Sequence, residues 1–252
     1  MRRLVDRLHR RFGTPLDLDA RDRAVTPPSD LALIEKVLPY TMTGIARIHG
    51  LMEAVRYCTK REIPGAFAEC GVWRGGSIMA MILVLLEMGC TDRDIYLFDT
   101  FEGMTAPAER DMSPFHGSAL EAWEASEKQN RRAWAYYFND EVFNDDLVRK
   151  VQLATGFPEQ RLHFVKGTVE QTIPGQAPAQ IALLRLDTDW YESTRHELVE
   201  LYPRVSQGGV LIIDDYGHWH GSKDAVDEYF ADVRPPVLFN RMDYSGRIAI
   251  KQ

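Results

Sequence analysis

Glu69-Cys-Gly-Val-Trp-Arg-Gly-Gly-Ser77 is the stretch that decides the fold of this chain. A short apolar run at 66–70 leads into it, and a long apolar stretch of helix-forming residues at 77–88 follows it. Its three glycines let the backbone turn sharply and approach a ligand closely. The first turn of the following helix offers backbone N–H groups without partners inside the helix. The stretch therefore predicts a strand, a tight turn and a helix, the first unit of an α/β sheet whose ligand binds at that turn.

The same alternation continues along the chain. Short apolar runs that end in polar or acidic residues are followed by amphipathic stretches, a pattern typical of βαβ units and a mainly parallel sheet. The predicted strands cover 66–70, 95–99, 162–165, 181–187 and 210–215, and the predicted helices cover 77–88, 193–205 and 223–233.

Both ends of the chain depart from this alternation. Residues 13–30 are rich in proline and aspartate and predict an irregular arm, whereas apolar residues at helical spacing in 31–63 predict two helices broken near Pro39. The arm and this apolar helix pair suggest a homo-oligomer. At the other end, 237–240 and 247–251 predict a final hairpin.

An insertion separates the second and third predicted strands. The residues between 100 and 161 are too many for one crossover, and 119–135 consists mostly of polar helix formers, which predicts an inserted helical cap. We therefore expect an N-terminal arm with helices over 1–63 and the sheet domain over 64–252, with the cap at about 104–150.

The composition excludes several classes of protein. The 252 residues include 30 Lys+Arg and 37 Asp+Glu, so the net charge is −7, and 45% of the residues are hydrophobic. These values are those of a globular protein, and the acidic balance argues against a nucleic-acid binder. No apolar run is long enough for a membrane span, and residues 1–12 lack the apolar core of a secretory signal, so we expect a cytoplasmic protein without a membrane partner.

Asp99 ends the second predicted strand, 30 residues after Glu69. An acid at that place can accept hydrogen bonds from both hydroxyls of a ribose, so the glycine turn and Asp99 together indicate an adenosine-containing ligand. The alternative is that Asp99 caps the turn that follows it. The glycine spacing differs from that of dinucleotide-binding proteins and of P-loops, which disfavours an NAD-dependent oxidoreductase and a triphosphate ligand.

Four carboxylates follow two later strands, in Leu186-Asp-Thr-Asp-Trp-Tyr191 and in Ile212-Ile-Asp-Asp-Tyr216. Both segments lie at carboxyl ends of predicted strands, where open α/β sheets bind their ligands. Converging carboxylates repel one another, and a divalent cation with oxygen ligands, such as Mg²⁺ or Ca²⁺, relieves the repulsion. An uncoordinated carboxylate can then accept a proton. The alternative is a set of solvated strand caps.

Three histidines and a cysteine are weaker candidates. His116, at the start of the cap, is a candidate general base or substrate contact. His218 and His220 have the spacing of zinc ligands but no further ligand near them, so we expect both to be exposed loop residues. Cys70 has no histidine partner in sequence and is expected to pack at a strand end.

Four motifs together resemble the macrocin/mycinamicin-type sugar O-methyltransferases: E-C-G-V-W-R-G-G-S at 69–77, F-D-T-F-E-G at 98–103, R-L-D-T-D-W-Y at 185–191 and I-I-D-D-Y at 212–216. The resemblance extends from about Tyr40 to the C-terminus. It implies a class I, Rossmann-like methyltransferase sheet with an antiparallel last strand. It also implies S-adenosylmethionine and Mg²⁺ as cofactors and a glycosylated small molecule of antibiotic or other natural-product biosynthesis as acceptor.

The resemblance also assigns roles to single residues. It implies that Asp187, Asp214 and Asp215 hold the metal and that Asp189 is the general base. The segment 113–143, which covers the acceptor in the family, is longer and dissimilar here, and Thr168 stands where the family has an aromatic residue. The residues implied for the S-adenosylmethionine pocket are Thr41, Met42, Glu69, Cys70, Gly71, Val72, Trp73, Ser77, Asp99, Thr100, Phe101, Gly103, Gly167, Thr168 and Asp187.

Two other functions remain open at this point. A metal-dependent catechol or caffeoyl-type O-methyltransferase uses a similar arrangement of acids, and methyl transfer to catechols measured against glycosides separates the two. A non-catalytic S-adenosylmethionine-binding scaffold is the alternative from another class, and the presence of all four acids speaks against it.

Overall fold

The computed structural model describes residues 18–139 and 143–252. Its centre is a seven-stranded sheet with the strand order β5-β2-β1-β6-β7-β9-β8, in which β9 is antiparallel to β7 and β8 is antiparallel to β9. The other neighbours pair in parallel, which confirms the predicted class I methyltransferase sheet. The strands are β1 (Ala66–Cys70), β2 (Ile95–Asp99), β5 (Leu162–Lys166), β6 (Ile181–Leu186), β7 (Val205–Ile213), β8 (Asn240–Arg241) and β9 (Arg247–Ile250), and a separate small hairpin is formed by β3 (Met112–Ser113) and β4 (Gly117–Ser118).

Helices cover both faces of the sheet. They are α1 (Leu18–Val25), α2 (Pro28–Val37), α3 (Ile45–Lys60), α4 (Gly76–Glu87), α5 (Ala119–Lys128), α6 (Asp145–Leu153), α7 (Val169–Thr172), α8 (Tyr191–Leu201) and α9 (His220–Phe230). Within the described residues, no helix is both long enough and apolar enough to cross a membrane.

Successive strand residues contribute to opposite faces of the sheet. Phe67 and Leu183 pack with α2, α3 and α4 on one face, whereas Ala68 and Leu184 pack with α8 and α9 on the other. Side chains alternate along a strand, so a strand covered on both faces buries every residue, and the charged Glu69 and Arg185 must then be paired with each other. The burial of every residue of β1 and β6 follows from this arrangement. The N-terminal helices therefore belong to the main hydrophobic core.

Two predictions for the ends of the chain need correction. The predicted irregular arm contains α1, and α2 begins at Pro28, because proline is tolerated in the first helical turn, where no intrahelical N–H bond is lost. The final hairpin is shorter than predicted, since β8 begins at Asn240, and the prolines at 235 and 236 cannot donate to a ladder. Residues 1–17, with the basic start of the chain, lie outside the described residues.

The inserted cap and the last parallel strand also differ from prediction. The helix expected over 119–135 ends at Lys128, because Asn130 adopts a left-handed backbone conformation that a helix cannot continue. A second cap helix, α6, begins at Asp145, and the side chain of its N-cap residue, Asn144, accepts a hydrogen bond from the Leu147 amide at 2.9 Å. The strand expected at 210–215 starts five residues earlier, at Val205.

Gly71 fixes how closely the end of β1 approaches the end of β6. Its φ is +81°, and a Cβ at this position would lie 1.9 Å from the carbonyl oxygen of Asp187. Only glycine therefore allows the two strand ends to meet, and this contact brings the glycine turn beside the acidic segment that follows β6.

Gly71→Ala is expected to lower the free energy of unfolding by about 3 kcal/mol. The alanine would have to adopt a left-handed backbone conformation, and its Cβ would also clash with the main chain of Asp187. The matched control is Gly89→Ala. Its φ is also positive, but nothing lies within 4 Å of the added Cβ, so the expected loss is about 1 kcal/mol. Urea unfolding of both variants measures the difference, and equal losses would contradict the close-approach argument.

Candidate active site

A cavity of about 550 Å³ opens at the carboxyl ends of β1, β2, β6 and β7. This is the edge at which open α/β sheets bind their ligands, and the volume is that of an ordinary ligand pocket. The glycine turn and the acidic segments share this one cavity. The predicted site residues that line it are Thr41, Met42, Gly71, Val72, Trp73, Ser77, Asp99, Thr100, Gly103, His116, Gly167, Thr168, Asp187, Asp189, Asp214 and Asp215.

Asp99 holds the glycine turn in shape. Its Oδ2 accepts hydrogen bonds from the amides of Val72 at 2.6 Å and Trp73 at 3.0 Å, and its Oδ1 accepts one from the Phe101 amide at 2.7 Å. Burial raises the pKa of Asp99, and these three donors oppose the rise. A carboxylate offers about four acceptor sites, so Asp99 caps the turn and retains about one site toward the cavity.

Three predicted pocket residues lie behind the cavity wall and do not line it. Glu69 is fully buried beside Arg185, Cys70 is fully buried in the sheet, and the Phe101 ring packs in the core with its backbone at φ +52°. Burial raises the pKa of the Cys70 thiol well above its usual value, so this thiol is a packing group. Their side chains support residues that face the cavity.

Asp189 occupies a tight turn between β6 and α8. Its φ is +66°, and the Trp190 amide donates to the Thr188 carbonyl at 2.7 Å. Left-handed backbone at a residue other than glycine is uncommon and clusters at functional sites. Contacts from both sides hold the turn: Thr188 Oγ1 donates to Glu197 at 3.0 Å, and the Trp190 indole N–H donates to the Thr105 carbonyl at 2.9 Å.

Asp111, in the cap, fastens the start of α8. This carboxylate is fully buried, and its Oδ1 accepts a hydrogen bond from the Tyr191 amide at 2.9 Å while its Oδ2 accepts one from the Ala108 amide at 2.7 Å. The Tyr191 amide lies in the first turn of α8 and has no partner within the helix, so this residue of the cap provides its acceptor. The cap is thus tied directly to the turn that carries Asp189.

Asp187, Asp214 and Asp215 form the acidic cluster predicted from the sequence. One oxygen of each carboxylate lies within 4.8 Å of the others. Asp214 and Asp215 are buried at the end of β7, and Asp187 is partly open to the cavity. Three converging carboxylate oxygens are a donor set suited to a hard divalent cation.

Two arginines balance part of this charge. The Arg185 side chain, on β6, contacts Glu69, Asp187 at 2.7 Å and Asp214 at 2.5 Å, and the residue is 3% exposed. The Arg47 side chain, on α3, contacts Asp214 and lies 2.7 Å from Asp243. Each oxygen of Asp214 accepts one guanidinium N–H and keeps a second lone pair.

The pKa values of the clustered carboxylates differ according to their contacts with the two arginines. Burial would raise the pKa of Asp214, but Arg185 and Arg47 outweigh it and hold that pKa below its ordinary value. Burial and the neighbouring Asp214 hold the pKa of Asp187 well above its usual range, although Arg185 opposes the rise. Burial and Asp187 raise the pKa of Asp189 to about 7. The two arginines thus lower the pKa of Asp214, whereas the pKa values of Asp187 and Asp189 stay raised.

The structure differs from the prediction that His218 is an exposed loop residue. His218 lines the cavity, and its Nδ1 lies 3.0 Å from the Tyr244 hydroxyl. The ring of His116 lies 5.2 Å from that of His218, so the cap and the loop after β7 meet here. His220 is exposed at the start of α9.

Sequence reasoning missed both arginines. Arg185 carried a signal, because it is the one charged residue in the apolar strand Ile-Ala-Leu-Leu-Arg-Leu, and a charge buried on both faces requires partners. Arg47 carried none, because it lies in an amphipathic helix where an exposed arginine is ordinary. The aromatic residues Trp134, Tyr137, Trp190, Trp219 and Tyr244 line the cavity and were also missed.

The fold and the cavity define a class I S-adenosylmethionine-dependent O-methyltransferase. The family model described as Macrocin-O-methyltransferase (TylF) matches residues 16–247, and the chain belongs to this family. The family match confirms the resemblance. It favours an O-methyltransferase over a non-catalytic scaffold.

Curated relatives agree with the family match. Demethyldecarbamoylnovobiocin O-methyltransferase of Streptomyces niveus is 33% identical over 196 residues, covering 76% of this chain and 68% of the relative. The 8-demethyl-8-(2,3-dimethoxy-alpha-L-rhamnosyl)-tetracenomycin-C 4'-O-methyltransferase of Streptomyces olivaceus is 32% identical over 206 residues, covering 81% and 73%. Mycinamicin III 3''-O-methyltransferase of Micromonospora griseorubida is 29% identical and covers 75% and 70%.

Solved structures give the same fold. The O-methyltransferase NovP superposes with a TM-score of 0.70 at 30% identity, covering 84% of this chain and 82% of NovP. The calicheamicin methyltransferase CalS11 superposes with a TM-score of 0.64, covering 92% and 89%, and its 19% identity shows a shared fold alone.

Arg185→Met is expected to lower the free energy of unfolding by about 3–5 kcal/mol, because it leaves buried carboxylates without their partner. The matched control is Arg161→Met, which removes a half-exposed pair with Asp94 and is expected to cost less than about 1 kcal/mol. Urea unfolding in EDTA compares them. Adding Glu69→Gln to Arg185→Met should recover part of the loss; equal losses for the two single variants would show that the buried contacts are not stabilising.

Proposed function

We propose that this O-methyltransferase transfers a methyl group from S-adenosylmethionine to a sugar hydroxyl of a glycosylated natural product and that it requires Mg²⁺. The observation that carries the proposal is that the glycine turn, the acidic cluster and Asp189 share one cavity. A methyl donor at the turn and a hydroxyl at the acids would then meet inside that cavity. We also propose that the protein works as a homo-oligomer.

The turn side of the cavity suits S-adenosylmethionine. Gly71, Val72 and Trp73 bring main chain to the wall, Asp99 keeps an acceptor site for a ribose hydroxyl, and Thr168 follows the Gly167 turn at the end of β5. Thr41 and Ser77 also line the cavity. S-adenosylmethionine supplies a methyl group on a sulfonium, which leaves as a thioether.

The acidic cluster suits Mg²⁺. Asp187, Asp214 and Asp215 would hold it through one oxygen each, and contacts with Arg185 and Arg47 fix the positions of Asp187 and Asp214. Bound there, Mg²⁺ would supply Lewis acidity that makes a hydroxyl easier to deprotonate. Burial raises the pKa values of Asp187 and Asp215, and a bound cation would favour the charged form of both carboxylates.

Asp189 is the residue we assign as general base. It lies outside the set of three carboxylates that converge, and its turn is clamped through Thr188 and Trp190. In the transfer, the acceptor oxygen forms a bond to the methyl carbon as the sulfur–carbon bond breaks, and the hydroxyl proton passes to the Asp189 carboxylate. Holding the base rigidly keeps the acceptor oxygen within reach of a proton acceptor.

The names of the relatives support a sugar acceptor. The tetracenomycin enzyme is named for the 4' position of a rhamnosyl tetracenomycin, and CalS11 is also described as a TDP-rhamnose 3'-O-methyltransferase. A putative caffeoyl-CoA O-methyltransferase of Staphylococcus aureus is 12% identical, which shows the fold alone. The family match therefore favours a sugar over a catechol.

Asp189→Asn is the variant that tests the base. We expect kcat to fall by about 100- to 10,000-fold, because the amide cannot accept the proton, whereas the affinity for S-adenosylmethionine measured by calorimetry stays unchanged. Glu192→Gln is the control: it removes a carboxylate three residues along the same segment, on the exposed face of α8, and should leave kcat unchanged. Equal loss of turnover and of S-adenosylmethionine binding in Asp189→Asn would refute the base assignment. Methyl transfer to catechols in preference to glycosides would refute the acceptor class.

A further inference from the structure

The mouth of the cavity beside the acids is built from aromatic rings of three separate segments. Phe115 and His116 come from the loop between β3 and β4, His218 and Trp219 from the loop after β7, and Tyr244 from the turn between β8 and β9. All but Phe115 line the cavity, and Phe115 packs against two that do. We call these five residues the aromatic rim.

The rings of the aromatic rim hold one another in place. The Phe115 ring stacks on His218 with 5.4 Å between centroids and meets Tyr244 edge-on at 5.5 Å. The imidazole of His218 is fixed by the Tyr244 hydroxyl at 3.0 Å and by the edge of Trp219 at 5.2 Å. A rigid aromatic surface binds a flat ligand at a low entropic cost.

Two large aromatic side chains of the rim are exposed. Phe115 is 60% exposed and Tyr244 is 45% exposed. A single exposed aromatic residue needs no explanation, but apolar surface continuous with a ligand cavity extends the binding site. The rim adjoins the acids, on the side away from the glycine turn, so it faces the part of the acceptor that lies beyond the reacting hydroxyl.

The charge of the cavity restricts that part of the acceptor. Among the described residues that line the cavity there are six carboxylates and two guanidiniums, a formal charge of −4, and a divalent cation would leave −2. Both guanidiniums, Arg47 and Arg185, are already paired with carboxylates. A nucleoside diphosphate finds no lysine and no unpaired arginine among the described residues that line this cavity, and the negative charge of the lining would repel it.

We infer that the aromatic rim is an aglycone subsite, which binds a planar, uncharged aromatic ring system attached to the sugar that is methylated. This inference rests on the proposed function and deepens it. The sugar is then joined to its aglycone before methylation, so the reaction that supplies the substrate is a glycosyl transfer from a nucleotide sugar to an aromatic acceptor. The nucleotide sugar itself is not the acceptor.

Three forms of one sugar test the inference: methyl α-L-rhamnoside, 4-methylumbelliferyl α-L-rhamnoside and a nucleoside-diphosphate rhamnose. Methyl transfer is followed by kcat/KM, and binding to protein loaded with S-adenosylhomocysteine and Mg²⁺ is measured by calorimetry. We expect the aromatic glycoside to exceed the methyl glycoside by about tenfold in both measurements, as ring stacking allows, and the nucleotide sugar to be the weakest.

The variant Phe115→Ala tests whether the aromatic rim causes the preference for the aromatic glycoside. This variant should reduce the advantage of the aromatic glycoside to about twofold, because the stacked ring is lost. Leu238→Ala removes an apolar side chain that is 77% exposed and lies outside the cavity lining, and it should keep the tenfold advantage.

The outcomes separate this inference from the proposed function. If no form is methylated but the aromatic glycoside binds best and Phe115→Ala weakens it, the subsite stands and the proposed reaction fails. If the nucleotide sugar is methylated with the highest kcat/KM, sugar methylation stands and the subsite inference is overturned; if it is bound best without being methylated, the subsite inference is overturned as well. Absence of binding by all three forms, or an unchanged preference in Phe115→Ala, also overturns it.

Discussion

The side chain of Arg185 connects three strand ends, and the active-site geometry depends on it. Glu69 on β1 is its direct cross-strand neighbour, Asp187 follows the end of its own strand, and Asp214 follows the end of the next strand, β7. A guanidinium buried to this degree must be paired with carboxylates, since an isolated charge would be prohibitively costly. The same contacts therefore hold Asp187 and Asp214 side by side at the edge of the sheet, where the cavity opens.

The two arginines offset only part of the negative charge of the active-site carboxylates. The charge that remains can serve the chemistry of the site. Arg185 and Arg47 both contact Asp214 and lower its pKa, whereas burial and neighbouring carboxylates raise the pKa values of Asp187, Asp189 and Asp215. The proposed divalent cation would offset two of the negative charges and leave the cavity acidic toward phosphates. The proposed base outside the ligand set of that cation, and the aromatic rim beyond the acids, would then suit a neutral glycoside. The acidic balance of the whole sequence, −7, is thus partly located at one functional edge.

Local pattern predicted the sheet and the place of the acids, because strand periodicity and the parallel arrangement fix which residues end at the ligand edge. The contacts that give those acids their properties were not predictable in the same way. Arg47 meets Asp214 across 167 positions of sequence, and His218 reaches the cavity because the β8–β9 turn places Tyr244 beside it. Arg185 could be recognised in the sequence as a charge in an apolar strand. Its three partners could not, because they are set by the register of β1, β6 and β7.

We propose that the two arginines leave room for one divalent cation among three carboxylates while Asp189 stays outside the ligand set as the base. Crystals grown with Mn²⁺ and S-adenosylhomocysteine, measured at the manganese absorption edge, test this arrangement through the anomalous difference map. We expect one manganese peak contacted by Asp187, Asp214 and Asp215, with Asp189 outside its coordination sphere. A peak that includes Asp189 as a ligand, or no peak among these carboxylates, would contradict it.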